Sequence, residues 1–168
     1  LRVVDDQVAA ERRLERLARF DTLTGLVNRA EVIGRLESAL EQSQVPGAHL
    51  GLLFCDVDHF KKINDTFGHA VGDVVLSTLA CRIRQSVRDG DTVGRTGGDE
   101  ILVLLPGIDS LDEATRIAEE IRSSVSEPIY ESGVTITVTL SIGAAQAASG
   151  ETASTIMARA DAAMYGAK

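Results

Sequence analysis

The sequence predicts an α/β fold with a mixed, largely antiparallel central sheet flanked by helices. Three observations point there. Amphipathic helical stretches alternate with short apolar β-rich runs, two of those runs are separated by the pair Gly97-Gly98, and the late strands lie close together in the chain. A doubly wound parallel sheet would leave no place for a glycine hairpin, and the chain has neither a Gly-x-Gly-x-x-Gly opening nor a Walker loop.

The elements follow in order. Residues 5–20, "DDQVAAERRLERLARF", set Val8, Leu14, Leu17 and Phe20 among charges, as in an amphipathic helix. Residues 1–20 are read either as a helical connector that ends a coiled coil or as a frayed terminal helix. "DTLTGLVNR" at 21–29 is a turn-forming cluster, and Val32, Ile33, Leu36 and Leu40 mark the next helix, closed by Pro46 and Gly47. "HLGLLFC" at 49–55 predicts an apolar strand with acids arriving at its carboxyl end. A short helix and turn run to Gly68, and Val75, Leu76, Leu79, Ala80, Ile83 and Val87 mark a longer helix over 73–87. Residues 92–96 and 99–105 pair as a hairpin across Gly97-Gly98, because paired glycines permit the positive φ of two-residue turns. A helix over 110–125 ends near Pro128, β-rich sequence begins at 134, and a helix carrying Ile156, Met157, Ala160 and Met164 closes the chain.

Length and composition narrow the functional classes. A chain of 168 residues, 44% apolar and 25% charged, is one ordinary globular domain able to bury a core without cross-links. Its net charge of -8 argues against broad binding to nucleic acid. Cys55 and Cys81 lack Cys-x-x-Cys spacing and are expected to be small core residues. No apolar run reaches membrane-span length, so direct membrane insertion is not expected. The expected location is cytoplasmic, within a parent protein that a membrane could tether.

Several polar groups cluster where strands meet helices. Asp56 and Asp58, two apart at a strand end, share a face and could form half of an oxygen-rich metal site, with the Val57 carbonyl between them. Asp99 and Glu100 open the next strand, and pairing of the two strands would let Asp99 approach Asp56. Lys61 or Lys62 could neutralise phosphate, while Asn64 and Asp73 carry the donors and acceptors that read a base. The alternative is a helix cap, a solvated face and ordinary turn residues. His49, His59 and His69 lack the spacing of metal ligands. Arg88 and Asp91 in "RDGD" form either a phosphate clamp or an ion pair at a helix end.

Taken together, "DTLTGLVNR", "CDVDHFKKINDTFGHAVGD", "RDGDTVGRTGGDE", "LSIGA" and "ADAAMYGAK" resemble the GGDEF family of diguanylate cyclase domains over about residues 21–168. The resemblance implies a nucleotide-cyclase-like palm with a Gly-Gly β-hairpin that condenses two GTP into cyclic di-GMP and two pyrophosphates, one GTP per half-site of a homodimer. It implies metal ligation by Asp56, Val57, Asp99 and Glu100, with Mg2+ or Mn2+, two per active half-site. It also implies catalytic roles for Asp99, Glu100 and Lys61, and substrate contacts from Asn64, Asp73, Gly97, Gly98 and Lys168. Arg88 and Asp91 match the family's product-inhibition site, with Arg116 a further candidate. A covalently attached sensory or effector domain is expected.

Two departures stand out against that pattern. Ile101 replaces a customary Phe, with loss of aromatic packing and hairpin misplacement as the expected cost. The chain also ends at Lys168, before the family's short basic tail and final strand. The rival reading is a catalytically inactive module that binds GTP or cyclic di-GMP and regulates an attached domain. A purely structural dimerisation module would explain the amphipathic start but not the polar blocks.

Overall fold

The structure is a computed structural model, and it describes residues 2–166. Along the chain it forms α1 (Arg2–Arg19), α2 (Arg29–Gln42), β1 (Leu50–Val57), α3 (Phe60–Phe67), α4 (His69–Gln85), β2 (Thr92–Gly97) and β3 (Glu100–Pro106). There follow α5 (Leu111–Val125), β4 (Ile129–Glu131), β5 (Val134–Ile136), β6 (Leu140–Gln146) and α6 (Ala153–Gly166). Local chemistry sets two of the helix starts. Asn28 caps α2 by accepting from the Glu31 amide at 3.0 Å. Ser110 caps α5 by accepting from the Glu113 amide, and the Glu113 carboxylate reaches back to the Asp109 amide at 2.8 Å.

The main sheet has the order β2-β3-β1-β6, and its three strand pairings are all antiparallel. A lone parallel bridge between Val27 and Gly94 adds to the β2 edge. Both faces of β1 and β3 are covered. Leu50, Leu52, Phe54, Leu102 and Leu104 pack with Val32, Leu36 and Leu40 of α2 and with Ile156, Ala160 and Met164 of α6. The alternate residues Leu53, Cys55, Val57, Ile101, Val103 and Leu105 pack with α4 and α5, mainly through Leu79, Ile83, Ala114 and Ile121. Each fully buried Leu or Ile contributes about 2 kcal/mol. Two-sided burial explains why these strands read as continuous apolar runs and not as alternating ones.

Two expectations need correction, and the β-rich sequence from 134 resolves into two strands. Val134–Ile136 folds back on Ile129–Glu131 as a separate hairpin, turning at Ser132 (φ 51°) and Gly133 (φ 76°), and the main-sheet strand starts only at Leu140. Cys55 is buried as expected, but Cys81 is exposed, because the helical period gives the inward position to Ala80. The helix expected from residue 73 begins at His69, directly after Gly68.

Gly143 of β6 lies against the backbone of α6. A Cβ at this position would overlap the Ala160 carbonyl oxygen and the Met164 amide nitrogen, so the helix is seated on bare backbone. We expect Gly143→Ala to destabilise the chain by about 3 kcal/mol, read as a lower urea midpoint with an unchanged slope.

Candidate active site

The site is built where β1 ends and β3 begins. Antiparallel pairing places Asp56 directly opposite Glu100, and the Val57 amide donates to the Asp99 carbonyl at 3.3 Å. The connecting turn lies one residue later than expected. Gly97 closes β2 opposite Glu100, so the loop is Gly98–Asp99, and only Gly98 of the glycine pair takes a positive φ, at 49°. The cause is an extra residue in β2. Arg95 pairs with Ile101 but Gly97 pairs with Glu100, leaving Thr96 as a bulge. Asp99 therefore sits in the turn itself, half-buried.

The Asp99 carboxyl lies within hydrogen-bonding reach of Asp56. Burial first, then the Asp56 carboxyl and, more weakly, the Glu100 charge push Asp99 up from its ordinary 3.8 to about 6. Glu100 itself accepts from the Thr96 hydroxyl at 3.4 Å. Two carboxyls held in contact, with a third nearby, are chemically suited to a hard divalent cation. Among the described residues no three His, Cys, Asp or Glu side chains form a complete cage. A cation at Asp56 and Asp99 would complete its shell with carbonyl oxygen, water or substrate phosphate, as Mg2+ commonly does.

Asp58 is not part of this pair. β1 ends at Val57, and both Asp58 oxygens are taken by hydroxyls, from Thr139 at 2.6 Å and Ser141 at 2.6 Å. Its function here is to pin the β1 exit to the approach of β6. Ile101, the departure from the family's Phe, is 1% exposed and keeps its register with both Cys55 and Arg95. The bulge falls just beyond it, at Thr96.

On the neighbouring helices, Lys61 is exposed in the first turn of α3. Asn64 lies further along α3, against Gly72 of α4, where a Cβ would overlap its side-chain oxygen. That oxygen is buried and has no hydrogen-bond partner among the described residues. Asp73 follows Gly72 and is exposed. Lys168 lies outside the described residues. An open cleft of about 670 Å³ runs beside β6 and α5, lined by Asp58, His59, Glu119 and Arg122, and includes neither Asp56 nor Asp99.

Arg88 and Asp91 form a knitted turn before β2. Asp91 is 4% exposed and accepts from the Arg88 amide at 2.9 Å and from its guanidinium at 3.3 and 3.4 Å. Arg84 clamps the same turn through the Asp91 and Arg88 carbonyls. The Arg88 guanidinium also reaches the Pro106 carbonyl at 3.1 Å. Pro106 ends β3, so this turn lies about 20 Å from Asp99 along the strand. Arg116 pairs with Glu120 on the exposed side of α5.

The antiparallel sheet with paired carboxyls at its hairpin end agrees with the cyclase-like palm that the family resemblance implies. The family model "Diguanylate cyclase, GGDEF domain" matches residues 18–168, and the chain belongs to that family. Diguanylate cyclase TpbB of Pseudomonas aeruginosa is 45% identical over 153 residues, 90% of this chain and 35% of that protein. Response regulator PleD of Caulobacter vibrioides is 42% identical over 156 residues, 90% of this chain and 34% of that protein. Thus the chain spans about a third of the length of these curated relatives. A solved TpbB fragment comprising only the GGDEF domain superposes with a TM-score of 0.84 at 45% identity, covering 89% of this chain and 88% of that one. The GGDEF domain of DgcB from Caulobacter crescentus, in complex with c-di-GMP, gives a TM-score of 0.84 at 33% identity and covers 89% of each chain. No described helix is long and apolar enough to cross a membrane.

The raised pKa of Asp99 has a consequence for stability. A carboxyl whose folded pKa lies above its unfolded value favours the folded state most at low pH, and that contribution is lost as pH rises through about 6. In metal-free protein, Asp99→Asn is therefore expected to leave stability nearly unchanged at about pH 4 and to raise it by about 1 kcal/mol at about pH 7.5, after allowance for solvent screening. Urea denaturation at the two pH values reads the difference.

Proposed function

We propose that this domain is a diguanylate cyclase that condenses two GTP molecules into cyclic di-GMP across a homodimer. The observation that carries the reading is the contact between Asp56 and Asp99 at the glycine turn, in a chain of this family. In each half-reaction the 3'-oxygen of one GTP forms a bond to the α-phosphorus of the other. The bond to the β-phosphate oxygen breaks, pyrophosphate leaves, and the hydroxyl proton is released. Two Mg2+ or Mn2+ ions, when bound, neutralise the triphosphate charge and lower the proton affinity of the attacking hydroxyl.

The residues divide the work by chemistry. Asp56, Asp99, Glu100 and the Val57 carbonyl would supply oxygen donors for such cations. Lys61, exposed on α3, meets triphosphate oxygens, a role shared with Lys168. Asn64, partly buried on α3, and the exposed Asp73 read the guanine edge. The absence of side chains at Gly97 and Gly98 lets phosphate approach the turn. A half-site holds one GTP, so two chains must meet. The exposed apolar side chains Val4, Val8, Leu14 and Leu17 of α1 are suited to pairing with a second copy. An inactive nucleotide-binding module would account for Asn64 but gives the acid pair no purpose.

Arg88 and Asp91 are read as the product-inhibition site. Asp91 is occupied in holding the turn, while the Arg88 side chain is 59% exposed and able to take a phosphate. At about 20 Å from the acids, a ligand there acts without touching the metal site.

Incubation of the chain with GTP and Mg2+ should yield cyclic di-GMP, with a specific activity that rises with protein concentration through the monomer–dimer range. Asp99→Ala should lower turnover by at least on the order of a hundredfold. Absence of product from a folded, GTP-binding dimer would reject the cyclase reading. Arg88→Ala should retain turnover while weakening inhibition by added cyclic di-GMP, read by titrating product into the assay. Unchanged inhibition would remove Arg88 from that role.

A further inference from the structure

Asp21 and Arg95 take no part in the chemistry above, yet they join the end of α1 to the turn that carries Asp99. α1 stops at Arg19, and its last turn is tied back by Asn28, whose amide donates to the Arg19 carbonyl at 2.8 Å. Phe20 bridges to Val27, and Val27 is laced to β2 by bonds to Val93 and Arg95. Between these points the Asp21 carboxylate accepts from the Thr24 amide at 2.9 Å and the Thr24 hydroxyl at 2.7 Å. It also accepts from one Arg95 guanidinium nitrogen, at 3.2 Å to each oxygen.

The Arg95 side chain then continues to the turn. Its Nε donates to the Gly98 carbonyl at 2.9 Å, spanning the bulge at Thr96. From the start of α2, Arg29 reaches the Thr96 carbonyl at 3.3 Å. The Arg95 and Asp21 side chains are 18% and 21% exposed, so this pair is sheltered in a way the ion pairs on α5 are not. A bulge is the point at which a hairpin is free to change its bend. Here that freedom is held by an arginine whose other partner is the residue two positions beyond α1.

We propose that Asp21 is a positioning residue: through Arg95 it sets where the Gly98–Asp99 turn sits, and so makes the placement of Asp99 depend on the end of α1. A partner or attached domain that turns α1 would thereby bias the site without a contact to it. The activity readouts of this proposal rest on the cyclase reading, whereas its structural readout does not.

The test compares the wild-type chain with Asp21→Asn, Arg95→Lys, the double variant, and Arg122→Gln, which breaks an exposed ion pair on α5. Lysine keeps the charge of Arg95 but cannot bond Asp21 and Gly98 together in the same fork geometry. In 15N-labelled protein without metal or nucleotide, Asp21→Asn and Arg95→Lys should both shift the Gly98 and Asp99 amide resonances, and Arg122→Gln should not. With GTP and Mn2+, both should lower kcat on the order of tenfold with little change in KM for GTP, because the misplaced group contacts the reacting centre and not the base. The double variant should lose no more than the worse single variant.

Gly98 and Asp99 resonances that move no more than in Arg122→Gln would overturn the proposal. So would unchanged kcat, or losses that add in the double variant. Should Asp21→Asn fail to fold, Arg95→Lys carries the same expectations. Should the wild type make no cyclic product, the cyclase reading fails and the resonance shifts alone decide the positioning role.

Discussion

The constraint on which the rest depends is the burial of β1 and β3 on both faces. A strand covered by α2 and α6 on one side and by α4 and α5 on the other has no solvated face on which to carry charge. Its acids can stand only at the ends. Antiparallel pairing then brings the acid-bearing carboxyl end of β1 together with the acid-bearing amino end of β3, opposing Asp56 to Glu100 and bringing Asp56 to Asp99. In a parallel pair the same residues would lie about 20 Å apart, at opposite ends of the sheet.

Concentrating acids in this way opposes the ionisation of Asp99. Asp99 is held partly against its own ionisation, and the folded domain carries that strain because the surrounding core determines both strands. A cation would relieve the repulsion and use the same oxygens. The side-chain oxygen of Asn64, which has no hydrogen-bond partner among the described residues, is a second polar cost, and it fills the space that the missing Gly72 side chain leaves.

Much of this was legible in order and spacing. The apolar runs of β1 and β3 and the family blocks around Asp56 and Asp99 are local patterns, and local patterns survive without knowledge of neighbours. What was misread depended on pairing. Asp58 looks like a partner of Asp56 by spacing, but Thr139 and Ser141 bind it from more than 80 residues away. The glycine pair predicts a turn at Gly97-Gly98, but the bulge at Thr96, which moves it to Gly98–Asp99, is a property of two strands in register and not of either alone. The β4–β5 hairpin was missed because strands three residues long carry almost no periodic signal.

By itself the sequence determined the order of most elements, the apolar strands, the family, and the acids that stand at the strand ends. Those follow from side-chain chemistry and spacing along one chain. The tertiary structure alone decided which acids meet, which are spent on hydroxyls, and how Asp21 reaches Gly98 through Arg95. Each of these is a contact between residues distant in sequence, and its geometry exists only once the sheet has closed in register.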